Sequence, residues 1–293
     1  MRFCIEMNKK ILVLALALIG VGAFSYQAKA EEGTKGISLE VGADVVSGYL
    51  WRGYNLGGLS IQPSVTFGWN GLYLCGWANI GADSWRFEEL SPELDITIGY
   101  DNYGVALDLT HLYYFGEDKY FKGLDNPQNL SASTMELHAG FHLGDLVEKV
   151  PLSIDWYTTV LGYDPVFDEE GGIATNASGN AKRAYSTYIQ LGYDIYLPLD
   201  IVLGLKVGFT PWKGMYSDYE DVWTNGRTVG FNNLQLRAER EFELGKLYIN
   251  VWGEAMFNCY GVDKNNIILP IGEASNQKLN GCIGVGIYFC DEW

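Results

Sequence analysis

Beyond residue 30 the chain contains no apolar run long enough to cross a bilayer as a helix, which takes about 20 residues. Basic residues are scarce, with 20 Lys and Arg against 36 Asp and Glu. Such acidity excludes nucleic acid and anionic lipid surfaces as natural partners. Histidine is rarer still, at 3 residues. The 5 cysteines show no metal-ligand spacing. Gly-x-Ser-x-Gly is absent. The acidic stretches Asp168-Glu169-Glu170 and Asp218-Tyr219-Glu220-Asp221 lack EF-hand spacing. Together these gaps leave no sign of a helical membrane protein, a metal or cofactor enzyme, or a nucleic-acid binder, and no cofactor is expected.

Residues 1–30 have the form of a cleaved signal peptide. Lys9 and Lys10 make a basic start, Ile11 to Ile19 is apolar, and Ala28-Lys29-Ala30 offers a small-x-small cleavage site before Glu31. Met7 could equally be the start codon. Residues 31–293 then form one domain. The leader holds four bases and one acid, so the remainder has 16 bases and 35 acids, a net charge of −19.

From Ile37 to Phe289 apolar and polar side chains alternate in twelve separate bursts. Ile61, Pro63, Val65, Phe67 and Trp69 share one face, while Ser60, Gln62, Ser64, Thr66 and Gly68 share the other. Period two marks a strand with one dry and one wet face. Across all twelve apolar faces the only full charge is Arg240. Connections alternate short (Asn70-Gly71, Asp101–Gly104, Gly144–Val150, Leu197–Leu199, Glu243–Lys246) and long (Arg52–Leu59, Ala82–Pro92, Gly116–Ser131, Asp164–Lys182, Pro211–Gly230, Asn258–Gln277). The expected fold is all-β: a twelve-stranded antiparallel transmembrane β-barrel with short periplasmic turns and long extracellular loops. Its first strand is expected to run from Ile37 to Trp51. The expected location is the cell outer membrane, with outer-membrane lipid around the barrel and the outer-membrane insertion machinery as an assembly partner. Tyr288-Phe289 and Trp293 would carry the aromatic assembly signal.

The polar face supplies the candidate site. The lumen-facing residues expected from the register are Glu40, Asp44, Arg52, Asp95, Asp108, Glu136, Asp155, Lys206, Arg237, Glu239 and Glu254, and Glu93, Asp194 and Glu241 share their parity. Acids exceed bases by eight on that face. Carboxylate-lined pores favour cations, so one expectation is a porin-like channel for passive diffusion of small hydrophilic solutes, cation-preferring. The other is a non-conducting barrel. Its inward aromatics (Tyr73, Trp77, Tyr157, Tyr188, Tyr248, Trp252) would fill the lumen, and its acidic, aromatic loops would bind a ligand or partner. Arg52 is expected at the outer end of the first strand, neutralising Asp44 or an acid across the lumen.

His111 has outward parity and is expected at the lipid interface. His138 and His142 are four residues apart on one strand, about 13 Å by strand rise, and so cannot share one metal. Cys282 and Cys290 lie eight residues apart on one strand, about 26 Å, too far to bridge. Cys259 and Cys282 would join neighbouring strands but differ in parity.

Tyr49-Leu50-Trp51-Arg52-Gly53, followed by Gln62-Pro63, Gly71-Leu72-Tyr73 and Trp77, resembles the N-terminal signature of the TorF family of porin-like exported proteins. The likeness covers about Asp44 to Asp83. Gly76 stands directly before Trp77, where the family leaves one residue between. The resemblance implies an outer-membrane barrel and a passive channel, and it supplies no catalytic residues.

Overall fold

A computed structural model describes residues 36–82, 92–114, 124–128, 133–147, 149–168, 172–212, 214–216, 230–258 and 278–293. Fourteen strands occur among them: β1 (Ile37–Val46), β2 (Tyr49–Trp51), β3 (Tyr54–Gly57), β4 (Ser60–Trp69), β5 (Leu72–Gly81), β6 (Glu93–Asn102), β7 (Val105–Tyr114), β8 (Ser133–His142), β9 (Leu152–Leu161), β10 (Thr187–Leu197), β11 (Ile201–Thr210), β12 (Gly230–Leu244), β13 (Leu247–Asn258) and β14 (Leu279–Glu292). Twelve of them, β1 and β4 to β14, close into one antiparallel barrel. The seam is the β1–β14 ladder, from Ser38 opposite Glu292 to Val46 opposite Gly284. Ile37 and Trp293 exchange both backbone hydrogen bonds at its lower end, at 3.0 and 2.9 Å. Closure leaves no edge among the twelve wall strands unpaired. Among the described residues there is no α-helix.

Each wall strand has ten or more residues, the length a tilted strand needs to cross a hydrocarbon core. The alternation puts bulky apolar groups outside, with Ile98 63% and Ile283 61% exposed. Leu74, Leu107, Leu205, Val251 and Ile287 continue the band. A continuous apolar surface around a closed barrel is a lipid-facing surface. The opposite face carries Asp44, Asp95, Asp108, Glu136 and Asp155, all buried.

Turn chemistry sets the register at the short-turn end. Asn70 and Gly71 both have positive φ, 49° and 87°, as a two-residue hairpin with the strands' own twist demands. Inside the wall, Trp252 of β13 lies across Gly284 of β14, where an added Cβ would come within 2.3 Å of the indole. The missing side chain is what lets the ring lie flat against the wall.

Two local expectations are corrected, the extent of the first strand and the setting of His111, and two strands are irregular. The first strand stops at Val46, and Tyr49–Trp51 leaves the wall for a separate two-stranded hairpin with Tyr54–Gly57. A bulge at Val160 shifts β9 against β8, with Met135 opposite Leu161 and Glu136 opposite Thr159. Tyr185 precedes β10 with φ of 52°. His111 keeps its outward pairing, opposite Ile96 and Met135, but is only 3% exposed, so it is not an interfacial side chain. Cys75, Cys282 and Cys290 are free thiols, and Cys259 lies outside the described residues. So do the leader, Glu169, Glu170 and residues 218–221.

Candidate functional site: the barrel interior

The inward hairpin starts at Ser47, which holds β14 through Ser47 N–H to Ile283 O and Ile283 N–H to Ser47 Oγ, both 2.9 Å. The Cys282 thiol donates to Gly48 O at 3.0 Å. Leu50 packs on Val46, Trp252 and Cys282. These contacts turn the chain off the wall and into the lumen. Tyr49 then lies 5.6 Å from Trp77 of β5, and Gly53 N–H meets Met256 Sδ of β13 at 3.2 Å.

At the tip sits Arg52, with φ of 46°. Its Nη1 and Nη2 donate to the two Glu136 carboxylate oxygens at 2.5 and 2.6 Å. The guanidinium also lies 4.0 Å from the Tyr157 ring centre, 4.6 Å from Trp51, and 5.2 Å from both Tyr188 and Tyr216. Glu136, Tyr157 and Tyr188 belong to β8, β9 and β10. In the twelve-membered ring β9 lies six places from β1 in either direction. The hairpin therefore spans the lumen from one wall to the opposite one. Planar stacking and a two-pronged ion pair suit Arg and would not suit Lys.

A second segment joins it. Tyr216, between β11 and β12, is 1% exposed. Its hydroxyl accepts from Arg52 Nη1 at 2.5 Å and donates to Glu136 Oε2 at 2.7 Å. Asn232 Nδ2 holds Tyr216 O at 2.5 Å, and Ser186 Oγ accepts from Met215 N–H at 2.7 Å. The long-loop half of the barrel is thus crossed by aromatic rings around one paired guanidinium.

The short-turn half is different. His138 meets Asp108 Oδ2 through Nδ1 at 2.6 Å and Asp155 Oδ1 through Nε2 at 3.1 Å. His142 Nε2 meets the same Asp155 Oδ1 at 2.9 Å. The Tyr73 hydroxyl donates to Asp108 at 3.0 Å. A ring facing a carboxylate at both nitrogens satisfies both only as a double donor. Farther round the wall, Arg237 bonds Glu239 at 2.8 Å, lies 3.7 Å from Glu254, and covers Trp252 at 4.4 Å. Asp44 takes the Tyr288 hydroxyl instead of a base. Glu40 has Asp44 and Glu241 as acidic neighbours, and Asp194 lies near Lys206.

Of the residues expected from the sequence, Arg52 and Glu136 come together at the hairpin tip. Asp108 and Asp155 gather round His138. Arg237, Glu239 and Glu254 form a third cluster, and Asp95 is buried near Glu93 and Glu136. Arg52 pairs with Glu136 and not with Asp44. Tyr216 was not visible as a site residue. It lies in a connection without periodicity, where the sequence gives no direction to a side chain.

No family model matches the chain, and no curated protein is detectably similar to it in sequence. The TorF resemblance therefore rests on the forty residues that carry it. Among solved structures, an outer-membrane channel from Pseudomonas putida F1 superposes at 13% identity and a TM-score of 0.44, covering 92% of this chain and 100% of that one. The NanC porin gives 10% and 0.43, covering 86% and 98%. The CymD monoaromatic hydrocarbon channel gives 11% and 0.40, covering 88% and 89%.

Proposed function

We propose that this chain is an outer-membrane, porin-like channel for passive diffusion of small hydrophilic solutes, cation-preferring, and narrowed by its own 47–59 segment. The observation that carries the reading is the difference between the two halves of the lumen. Aromatic rings and a paired Arg52 cross the long-loop half. The short-turn half is lined by acids in excess of bases, with Glu241 exposed and Glu40, Asp194, Lys206, Arg237 and Glu239 only part-buried. Charges left partly exposed on an inner wall belong to a wet passage, because a dry one would demand full pairing. A carboxylate surplus in that passage attracts cations and repels anions.

The TorF-like segment Tyr49–Gly53 is the tip of the inward hairpin, and it supports the same reading. Cleavage after Ala30 and recognition of the last strand by the insertion machinery belong to the proposal too. Mature protein beginning at Glu31 would support the leader assignment.

A second reading is favoured by the complete burial of Tyr188 and Tyr216: a sealed barrel whose outer loops bind a partner. Single-channel recording in a planar bilayer separates the two. The channel reading expects small steps from the native chain and larger steps when residues 48–58 are replaced by a short Gly-Ser turn. If neither protein conducts, although both are folded, the channel reading fails and the sealed barrel stands.

A further inference from the structure

We infer that Asp101, His142 and Asp145 bind a divalent transition-metal ion of the zinc or cobalt class at the short-turn mouth of the barrel. The inference does not depend on whether the lumen conducts.

Three separate elements bring the ligands together. Asp101 is the penultimate residue of β6, His142 is the last of β8, and Asp145 ends the 3-10 turn Leu143–Asp145. One ligand atom from each lies within 4.8 Å of the others. Ligand atoms about 2.1 Å from a tetrahedral ion stand about 3.4 Å apart, so closing round a metal takes about an ångström of carboxylate movement.

The orientation of His142 distinguishes this group from a chance acidic patch. Its Nε2 is committed to Asp155 Oδ1 at 2.9 Å. Its Nδ1 faces Asp145 Oδ2 at 3.8 Å, beyond hydrogen-bond reach. A carboxylate on one imidazole nitrogen fixes the proton there and turns the other lone pair outward, the usual support for a metal-bound histidine. Asp155 is itself held by His138, which is held by Asp108 and, through it, Tyr73. Four side chains, Asp155, His138, Asp108 and Tyr73, thus brace one imidazole whose free nitrogen points at two carboxylates. Nitrogen with two oxygens suits zinc or cobalt better than calcium, which takes six to eight oxygens. Asp101 is exposed and the other two are part-buried, which leaves an entry path and a position for water.

The test is calorimetric titration of Zn2+ into the full, tag-free chain folded in detergent, with excess Mg2+ present to occupy plain acidic sites. One Zn2+ per chain is expected. His142→Ala and Asp101→Asn should abolish that site, Asp155→Asn should weaken it about 10- to 100-fold, and His111→Ala should leave it unchanged. Asp101 is exposed at a strand end, so its variant keeps the test valid if His142→Ala misfolds. Absence of stoichiometric binding in the native chain would overturn the inference. So would native affinity in folded Asp101→Asn, or loss of the site in His111→Ala.

Discussion

Arg52, at the tip of a hairpin that leaves the wall after β1, and Glu136 of β8 on the far side of the barrel are joined by two hydrogen bonds, 2.5 and 2.6 Å. Each side chain is about one-tenth exposed, 9% and 10%. At that burial the pair is a specificity device more than a source of net stability. It fixes where the hairpin tip lands, and the surrounding rings exclude the water that would loosen it.

Removing one partner should therefore cost more than removing both. Arg52→Ala leaves the Glu136 carboxylate buried without its cation and should lower the protection of the hairpin by about 3–5 kcal/mol. Arg52→Met combined with Glu136→Leu should recover much of that loss. Limited proteolysis at residues 47–59 across a denaturant series measures the effect. Equal protection of the single and double variants would show that the ion pair does not hold the hairpin.

Leu205 and Lys206 are adjacent on β11, and Leu205 sits in the exposed apolar band. Leu205→Arg puts a charge against lipid, at a cost of about 2–4 kcal/mol near the midplane. Lys206→Leu alters only the inner wall. The first variant should give much less folded, heat-modifiable protein than the second. Equal yields would place the membrane elsewhere on the barrel.

Under the proposed channel function, the reversal potential across a tenfold salt gradient should report cation preference. The preference should fade as salt rises, since the Debye length falls from about 10 Å at 0.1 M to about 3 Å at 1 M. Anion preference would contradict an acid-controlled passage.

Asp164 gives a pH effect outside the wall. It accepts from Ser186 Oγ at 2.5 Å and from Ser186 N–H at 3.2 Å, and is 1% exposed. Burial pushes its carboxyl up from 3.8 to about 6, against the hydrogen bonds from Ser186. A folded value above the unfolded one means the fold around Asp164 is most stable below about pH 4, where the buried carboxyl is neutral. It weakens as pH rises through about 6, by about 3 kcal/mol in full. The segments joined by the Pro165–Arg183 bridge should resist protease better at pH 5 than at pH 8. Asp164→Asn should flatten that difference; an unchanged slope would assign the effect to another group.

Phe289 pairs with Val41 and Leu247 near the seam, and Trp293 completes it. Deleting the last five residues would shorten the closing β1–β14 ladder together with removing any assembly signal. Phe289→Ala and Trp293→Ala keep the backbone pairs and test the signal alone. At least one should slow insertion in cells while refolding in detergent stays normal. Normal insertion of both would dismiss the aromatic signal.

The sequence by itself determined the wall. Period-two alternation fixes which side chain faces which way, because a slip of one residue would turn every apolar group inward. Asn70-Gly71 fixes a turn because its backbone angles suit few other pairs. That is why all twelve wall strands were legible while the single-residue bulge at Val160 was not. Only the tertiary structure decided what fills the wall. Trp51-Arg52-Gly53 reads as a strand end running into a loop, and nothing local says that it bends inward. That course is set by partners remote in the chain: Glu136, Tyr157, Tyr188 and Tyr216. The same holds for Asp101, His142 and Asp145, placed together by two turns at one barrel mouth. Strand periodicity is a local property of the backbone and can be read along the chain. Contact across a lumen depends on ring closure, which sets distances between strands far apart in sequence.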